Sequence, residues 1–291
     1  MIDDIATVRM ARGLAPVVVA LLLATACQPP LGAKSDPSPT PTATPAPNHV
    51  FVIVLENTSY ERALAQPYLG SLASRYAVAS NYHAVGRPSL PNYLAITSGS
   101  TWGINDDGYH RLPATGIGKQ LTAAGITWKA YFEGFTGDCF RSPYPYALKH
   151  NPFAYYGGLC PTNVVPMPQL TADLKGDTPQ FAWIAPGLCN DAHDCPIRTA
   201  DNWLSRAVPE ITRSAAWQKN GVLFITFDEG NGDDDRVALF VVSPRLHGEI
   251  TKQLDHYSLL ATIEDALHVP RLGLAKQATS LMTELKKGTT A

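Results

Sequence analysis

The stretch His49-Val50-Phe51-Val52-Ile53-Val54-Leu55-Glu56-Asn57-Thr58-Ser59 decides the fold. From Val50 to Leu55 the side chains are all apolar and mostly β-branched, without the alternation of a half-exposed strand. That is the pattern of a strand covered on both faces, as in a parallel sheet. It stops abruptly at Glu56-Asn57, where open α/β sheets collect their ligands; a plain strand-to-helix turn also uses Asn and Ser. Residues 180–185 and 222–227 repeat the buried-strand pattern, and 126–132 and 237–242 read as further strands. Between them lie helical periodicities. Residues 60–78 carry Leu64, Tyr68, Leu72 and Tyr76 at four-residue spacing, broken at Pro67, and residues 200–213 turn Trp203, Leu204, Val208 and Ile211 inward. A short helix opens at Gly116 and stops at Gly125, and Asp255-His256-Tyr257-Ser258 opens another that runs to Leu267. This alternation predicts an α/β domain with a mainly parallel central sheet flanked by helices.

Composition excludes several classes. With 45% hydrophobic and 16% charged residues and a formal charge of −2, the 291-residue chain is neither a disordered tail nor a membrane bundle, and nothing recommends a nucleic-acid partner. Arg9, Arg12, the apolar run 13–24 and Thr25-Ala26-Cys27 have the layout of a secretory signal. Small residues before Cys27 resemble a bacterial lipoprotein processing site, so residues 1–27 read as a signal peptide and Cys27 as a lipidated mature N-terminus, with plain secretion as the alternative. The run is short for a bilayer span, and the lipid would be the only membrane contact. Residues 28–47, rich in Pro and Thr, form a stiff tether, leaving 48–291 as the folded domain, expected to be an extracytoplasmic monomer.

Of five cysteines, four follow Cys27: Cys139, Cys160, Cys189 and Cys195. Sequence proximity favours Cys139–Cys160 and Cys189–Cys195 over the two other pairings, and a zinc cluster is disfavoured by the lack of C-x-x-C spacing. The long aromatic connection 133–168 is expected to be pinned over the site by the first pair.

Several stretches carry chemistry. Pro88-Ser89-Leu90-Pro91 is a rigid turn leading into a helix near Asn92, so the Ser89 hydroxyl would face a helix N-terminus; a simple cap is the bland alternative. Asp228-Glu229 ends the most apolar strand, which is unfavourable without a cation. Asn190-Asp191-Ala192-His193-Asp194 sits between two cysteines, and His256 at a helix start would be disfavoured as a cation, which suits a neutral metal ligand. Asn105 lies in a polar turn where an Asx-turn is the plainer reading. Asp233-Asp234-Asp235 reads as a solvated tip, with calcium binding as the alternative.

Together, His49 to Asn57, Pro88 to Ala95, Asn190 to Asp194, Asp201-Asn202-Trp203-Leu204, Asp228-Glu229-Gly230 and His256-Tyr257-Ser258 with Ile263-Glu264 resemble, in the right order, the bacterial phosphoesterase family. That family holds secreted acid phosphatases and phospholipases C within the alkaline-phosphatase-like superfamily, whose fold is a three-layer α/β sandwich. The resemblance implies metal-assisted hydrolysis of a phosphate ester through a phosphoseryl intermediate on Ser89, with a phosphomonoesterase ahead of a phosphodiesterase or phospholipase C. A non-catalytic metal- or phosphate-binding lipoprotein is the third reading. It assigns Glu56, Asn57, Ser89, Asp228 and Glu229 to a divalent cation. Asp191, His193 and His256 go to a second metal or the leaving group, His256 as ligand or general acid, and Asn105 to oxyanion stabilisation. The relatives lean to zinc, one ion or two, with Ca or Mg as alternatives. Arg87 stands where relatives often carry His; it can bind a phosphate oxygen but cannot donate a proton, a task that could pass in part to His83.

Overall fold

The computed structural model describes residues 47–232 and 234–287. The expected signal segment with Cys27, the linker up to residue 46 and Asp233 lie outside them. The strands are β1 (His49–Leu55), β2 (Ala77–His83), β3 (Trp128–Phe132), β4 (Val164–Pro166), β5 (Phe181–Ala185), β6 (Gly221–Phe227), β7 (Arg236–Val242), β8 (Gly248–Ile250) and β9 (Leu254–Asp255). They form one sheet in the order β4-β3-β5-β1-β6-β7-β2-β8, with β9 also paired to β2. Only β7 runs antiparallel to its neighbours, β6 and β2. The helices are α1 (Tyr60–Leu64), α2 (Pro67–Arg75), α3 (Ser89–Ser98), α4 (Gly116–Ala123), α5 (Pro168–Asp173), α6 (Ile197–Arg213), α7 (Ala215–Asn220), α8 (His256–Ala266) and α9 (Met282–Lys287). The fold is the expected α/β architecture, a mostly parallel sheet flanked by helices.

Register explains why this sheet makes a site. β1 lies between β5 and β6, paired in parallel to both, with Leu55 opposite Phe227. The next residues, Glu56 and Asp228, therefore leave the sheet side by side. All seven residues of β6 are buried, as are Val50 to Leu55 of β1. Each large apolar side chain buried there contributes about 1.5–3 kcal/mol, which offsets the cost of gathering carboxylates at the strand ends.

Three boundaries differ from expectation. The helical run at 60–78 ends at Arg75, and Val78 belongs to β2, because Ala77 to Tyr82 pair with β7. The segment holding His83 is thus the end of a strand rather than a link. Helix α3 starts at Ser89, three residues before Asn92, because Asn92 braces the preceding turn: its Oδ1 accepts from the Val85 and Gly86 amides, and its Nδ2 donates to the Gly86 carbonyl at 2.8 Å.

The far end of α3 is held by close backbone approach. Gly99 has φ 71°, and a Cβ there would meet the Leu272 carbonyl oxygen at 2.4 Å. Glu264 on α8 secures the same segment by accepting from the Leu272 amide at 2.8 Å, while its Oε2 is buried without a partner. Burial raises the pKa of Glu264 to about 8. The folded chain thus holds a proton that the unfolded chain loses near pH 4.5, so this group's stabilising contribution falls as pH rises from there towards 8. Glu264→Gln keeps the acceptor for Leu272 and removes the titration. It is expected to raise Tm by a few degrees at pH 8 and to change it little at pH 5, read by thermal melts.

Candidate active site

Glu56 is fully buried at the end of β1. Its Oε2 accepts from the Ser89 hydroxyl and from Asn57 Nδ2, both at 3.0 Å, and its Oε1 accepts from the Tyr93 hydroxyl at 2.7 Å. Ser89 and Tyr93 are four residues apart on α3, hence on one face. Asn57 sits at φ 47°, a left-handed conformation that Asn tolerates, and this points its backbone N–H at Asp228 Oδ1, 3.0 Å away. Leu90, the second residue of α3, donates its amide to Asp107 Oδ1 at 3.0 Å, so a neighbouring loop caps the helix and leaves the serine hydroxyl to the cluster.

Two loops complete the group. Asp191, between the Cys189–Cys195 disulfide partners, is tied to β1 by its carbonyl, which accepts from the Glu56 amide at 2.9 Å. His150 arrives from the connection pinned by Cys139–Cys160. Both disulfides have the expected pairing. The His150 ring stacks on Tyr93 with centroids 5.1 Å apart, its Nε2 3.0 Å from Glu56 Oε1 and its Nδ1 3.2 Å from Asp191 Oδ2.

The electrostatics are those of crowded carboxylates. Burial, followed by the Asp228 and Asp191 charges, pushes Glu56 well above the usual range. Burial raises Asp191 to about 7 and Asp228 to about 6; Glu229 rises to about 7 from burial and then the Asp228 charge. Burial holds His150 far below the ordinary imidazole value, so it is a neutral ring between carboxylates. Among the described residues, Asp228 Oδ2, Glu229 Oε2, Asp191 Oδ2 and His150 Nε2 are buried without a hydrogen-bond partner. Buried polar atoms are rarely left so, and short contacts without hydrogen-bond alignment suit groups that share a cation. Glu56, His150 and His193 offer ligand atoms all within 4.8 Å of one another. A divalent cation fits this donor set, since the carboxylates are hard donors and the imidazole is neutral.

The remaining expected residues divide. His193, exposed, donates from Nδ1 to Asp194 at 2.7 Å, while its Nε2 meets the Lys149 ammonium at 3.1 Å. His256 is buried, and both its ring nitrogens are occupied. Its Nε2 donates to the Asp228 carbonyl at 2.6 Å, so its Nδ1 accepts from the Tyr82 hydroxyl at 2.8 Å. Burial lowers its pKa to about 4, and in this arrangement it positions the Asp228 backbone. Asn105 is exposed, and its loop instead sends Asp107 inward to α3 and, at 2.8 Å, to Lys149. His83 binds Asn81 Oδ1 at 2.9 Å.

Arg87 lies 3.6 Å from Glu229 and otherwise binds the loop after β6, through the Gly230 and Asp234 carbonyls and Asp235 at 3.0 Å. Arg87→Ala is expected to free that loop and Glu229 together, lowering kcat/KM for p-nitrophenyl phosphate about tenfold, with Tm falling by less than about 5 °C. Steady-state kinetics beside a thermal melt checks this.

His150, Tyr93, Lys149 and Asp107 were not singled out by the sequence. The available signal was Lys149-His150-Asn151 inside a long loop already expected to be pinned over the site.

The chain has relatives among known proteins. The model of the Phosphoesterase family matches residues 62–270. The chain is 30% identical over 243 residues to a phosphate-repressible acid phosphatase of Penicillium chrysogenum, covering 76% of this chain and 59% of that protein. It is 29% identical over 289 residues to a phosphatidylinositol-3-phosphatase of Mycobacterium tuberculosis, covering 93% of each. Among solved structures it resembles a protein of the alkaline phosphatase superfamily from Vibrio parahaemolyticus, with TM-score 0.61, 11% identity, and 86% of this chain and 76% of that one covered. That last likeness concerns the fold.

Proposed function

The chain belongs to the Phosphoesterase family, and on that premise we propose that it is a metal-dependent phosphate-ester hydrolase, preferring monoesters, with Ser89 as nucleophile. One observation carries the reading: the Ser89 hydroxyl, at the first residue of α3, donates at 3.0 Å to Glu56 within a cluster of partnerless carboxylate oxygens. Glu56, Asn57, Ser89, Asp228 and Glu229 would hold a cation on one side; Asp191, His150 and His193 complete the donor set, and the two imidazoles favour zinc over calcium or magnesium. Such an ion supplies positive charge that favours the ionised hydroxyl and offsets charge on the phosphoryl oxygens.

The chain's own residues do the rest. Glu56 Oε2 and the start of α3 orient Ser89 Oγ, and the α3 dipole favours the anion there. Oγ attacks phosphorus in line as its proton passes to Glu56 Oε2, the bond to the alcohol oxygen breaks and the alcohol leaves with a proton from water; water then hydrolyses the phosphoserine, releasing phosphate and regenerating the hydroxyl. Tyr93 and His150 keep Glu56 aimed, and His256 fixes the Asp228 backbone from behind. The two disulfides support an extracytoplasmic location, where such bonds persist.

The chain spans 59% of the length of the acid phosphatase it matches, so the activity needs its own test. Hydrolysis of p-nitrophenyl phosphate but not of bis(p-nitrophenyl) phosphate, lost with chelator, supports a metal-dependent monoesterase. The opposite substrate order makes it a diesterase, and no hydrolysis of either with added Zn, Mn, Mg or Ca removes the enzyme reading.

A further inference from the structure

Against the acidic cluster lies a cavity of opposite character. It has a volume of about 300 Å³, and Asn57 and His193 of the cluster's surroundings form part of its lining. Arg62 of α1 and Arg87 line it, and no carboxylate does among the described residues. Arg87 is partly neutralised by Asp235 at 3.0 Å and Glu229 at 3.6 Å. Arg62, by contrast, has no ion-pair partner among the described residues. Ile197, at the first turn of the 17-residue helix α6, forms part of the wall and adds the positive end of a helix dipole.

An acidic cluster that fits a cation and a basic cavity beside it are complementary to a substrate with two anionic groups. We propose that this cavity is a second-anion subsite, selecting phosphomonoesters whose alcohol portion carries another phosphate or phosphodiester. This rests on the reading that the first phosphate reacts at Ser89. The reacting phosphoryl group then lies at the cluster, while the second anion lies against the Arg62 guanidinium, which can bind it in bidentate fashion, with the Arg87 charge beside it. Small monoesters lacking the second charge leave Arg62 solvated and gain nothing from it.

Binding, measured apart from turnover, tests this in the full chain bearing Ser89→Ala and supplied with zinc. By calorimetry, glucose 1,6-bisphosphate is expected to bind about tenfold more tightly than glucose 6-phosphate. Arg62→Ala should bring that ratio to below about two, and Arg62→Lys should retain part of it. A parallel arm compares phosphatidylcholine vesicles carrying a monophosphorylated phosphoinositide with vesicles carrying phosphatidic acid, a monoester without the second charge. Discrimination in the first arm points to soluble bisphosphates, and in the vesicle arm to lipid head groups; either sustains the subsite. Equal affinity in both arms, or a preference that survives Arg62→Ala with Tm unchanged, overturns it. Failure of the unsubstituted chain to hydrolyse p-nitrophenyl phosphate would strike the hydrolase reading alone, because the binding ratios do not depend on turnover.

Discussion

Ser89→Ala is expected to lower kcat/KM for p-nitrophenyl phosphate by at least about a thousandfold, while cation binding weakens far less. A nucleophile has no substitute among its neighbours: Tyr93 is the nearest hydroxyl on the same face, and it is spent on Glu56 at 2.7 Å. The substitution should otherwise be mild. It removes one hydrogen bond, of order 1 kcal/mol, from a helix whose start is also held by Asp107 and by Asn92 in the preceding turn. A melt within a few degrees of the parent, a metal analysis at the same ion-to-protein ratio and a loss of turnover would together separate the nucleophile from a mere helix cap. Residual activity above about a tenth of the parent would end the assignment, because a positioning hydroxyl is worth no more than that.

What the sequence made legible follows from what is local. The runs at β1, β5 and β6 are apolar on both faces, which only a covered parallel strand explains, so Glu56 and Asp228 could be placed at one sheet edge before any coordinates. Cys189 and Cys195, six residues apart, could hardly close any other loop. His150 was hidden for the opposite reason. Its role depends on a loop held by a bond 21 residues long in sequence and on a stacking partner, Tyr93, that belongs to another element. His256 was legible as a neutral imidazole suited to a metal, but its two partners, the Tyr82 hydroxyl and the Asp228 carbonyl, lie 174 and 28 residues away in the chain. Periodicity carries no information about such pairings. The same holds for Asn105 and Asp107: either could have turned inward from a polar loop, and only the packing of α3 chose Asp107.

Chelation is expected to abolish hydrolysis and to lower Tm by about 5–10 °C, both restored by zinc. The size follows from mass action: a cation present at a hundred times its Kd stabilises the fold by about 2.7 kcal/mol, and a domain of this size melts about 2–4 °C lower for each kcal/mol lost. The sign follows from the cluster. Glu56, Asp191 and Asp228 are at most 1% exposed and Glu229 is 7% exposed, yet among the described residues the one guanidinium within 4.0 Å of any of them is that of Arg87, 3.6 Å from Glu229. Burial and mutual repulsion already raise their proton affinities, so without a cation the four compete for protons and for one another's space. His150→Ala then tests whether the imidazole is one of the ligands. Removing a neutral ring from between carboxylates does not relieve charge, so if His150 holds no ion the chelator-sensitive part of Tm stays as large as before. If His150 is a ligand, zinc affinity by calorimetry falls about ten- to a hundredfold and the chelator effect shrinks with it. An unchanged zinc affinity in that variant would leave the cation to the Glu56–Asp228 side alone and remove the imidazoles from the donor set.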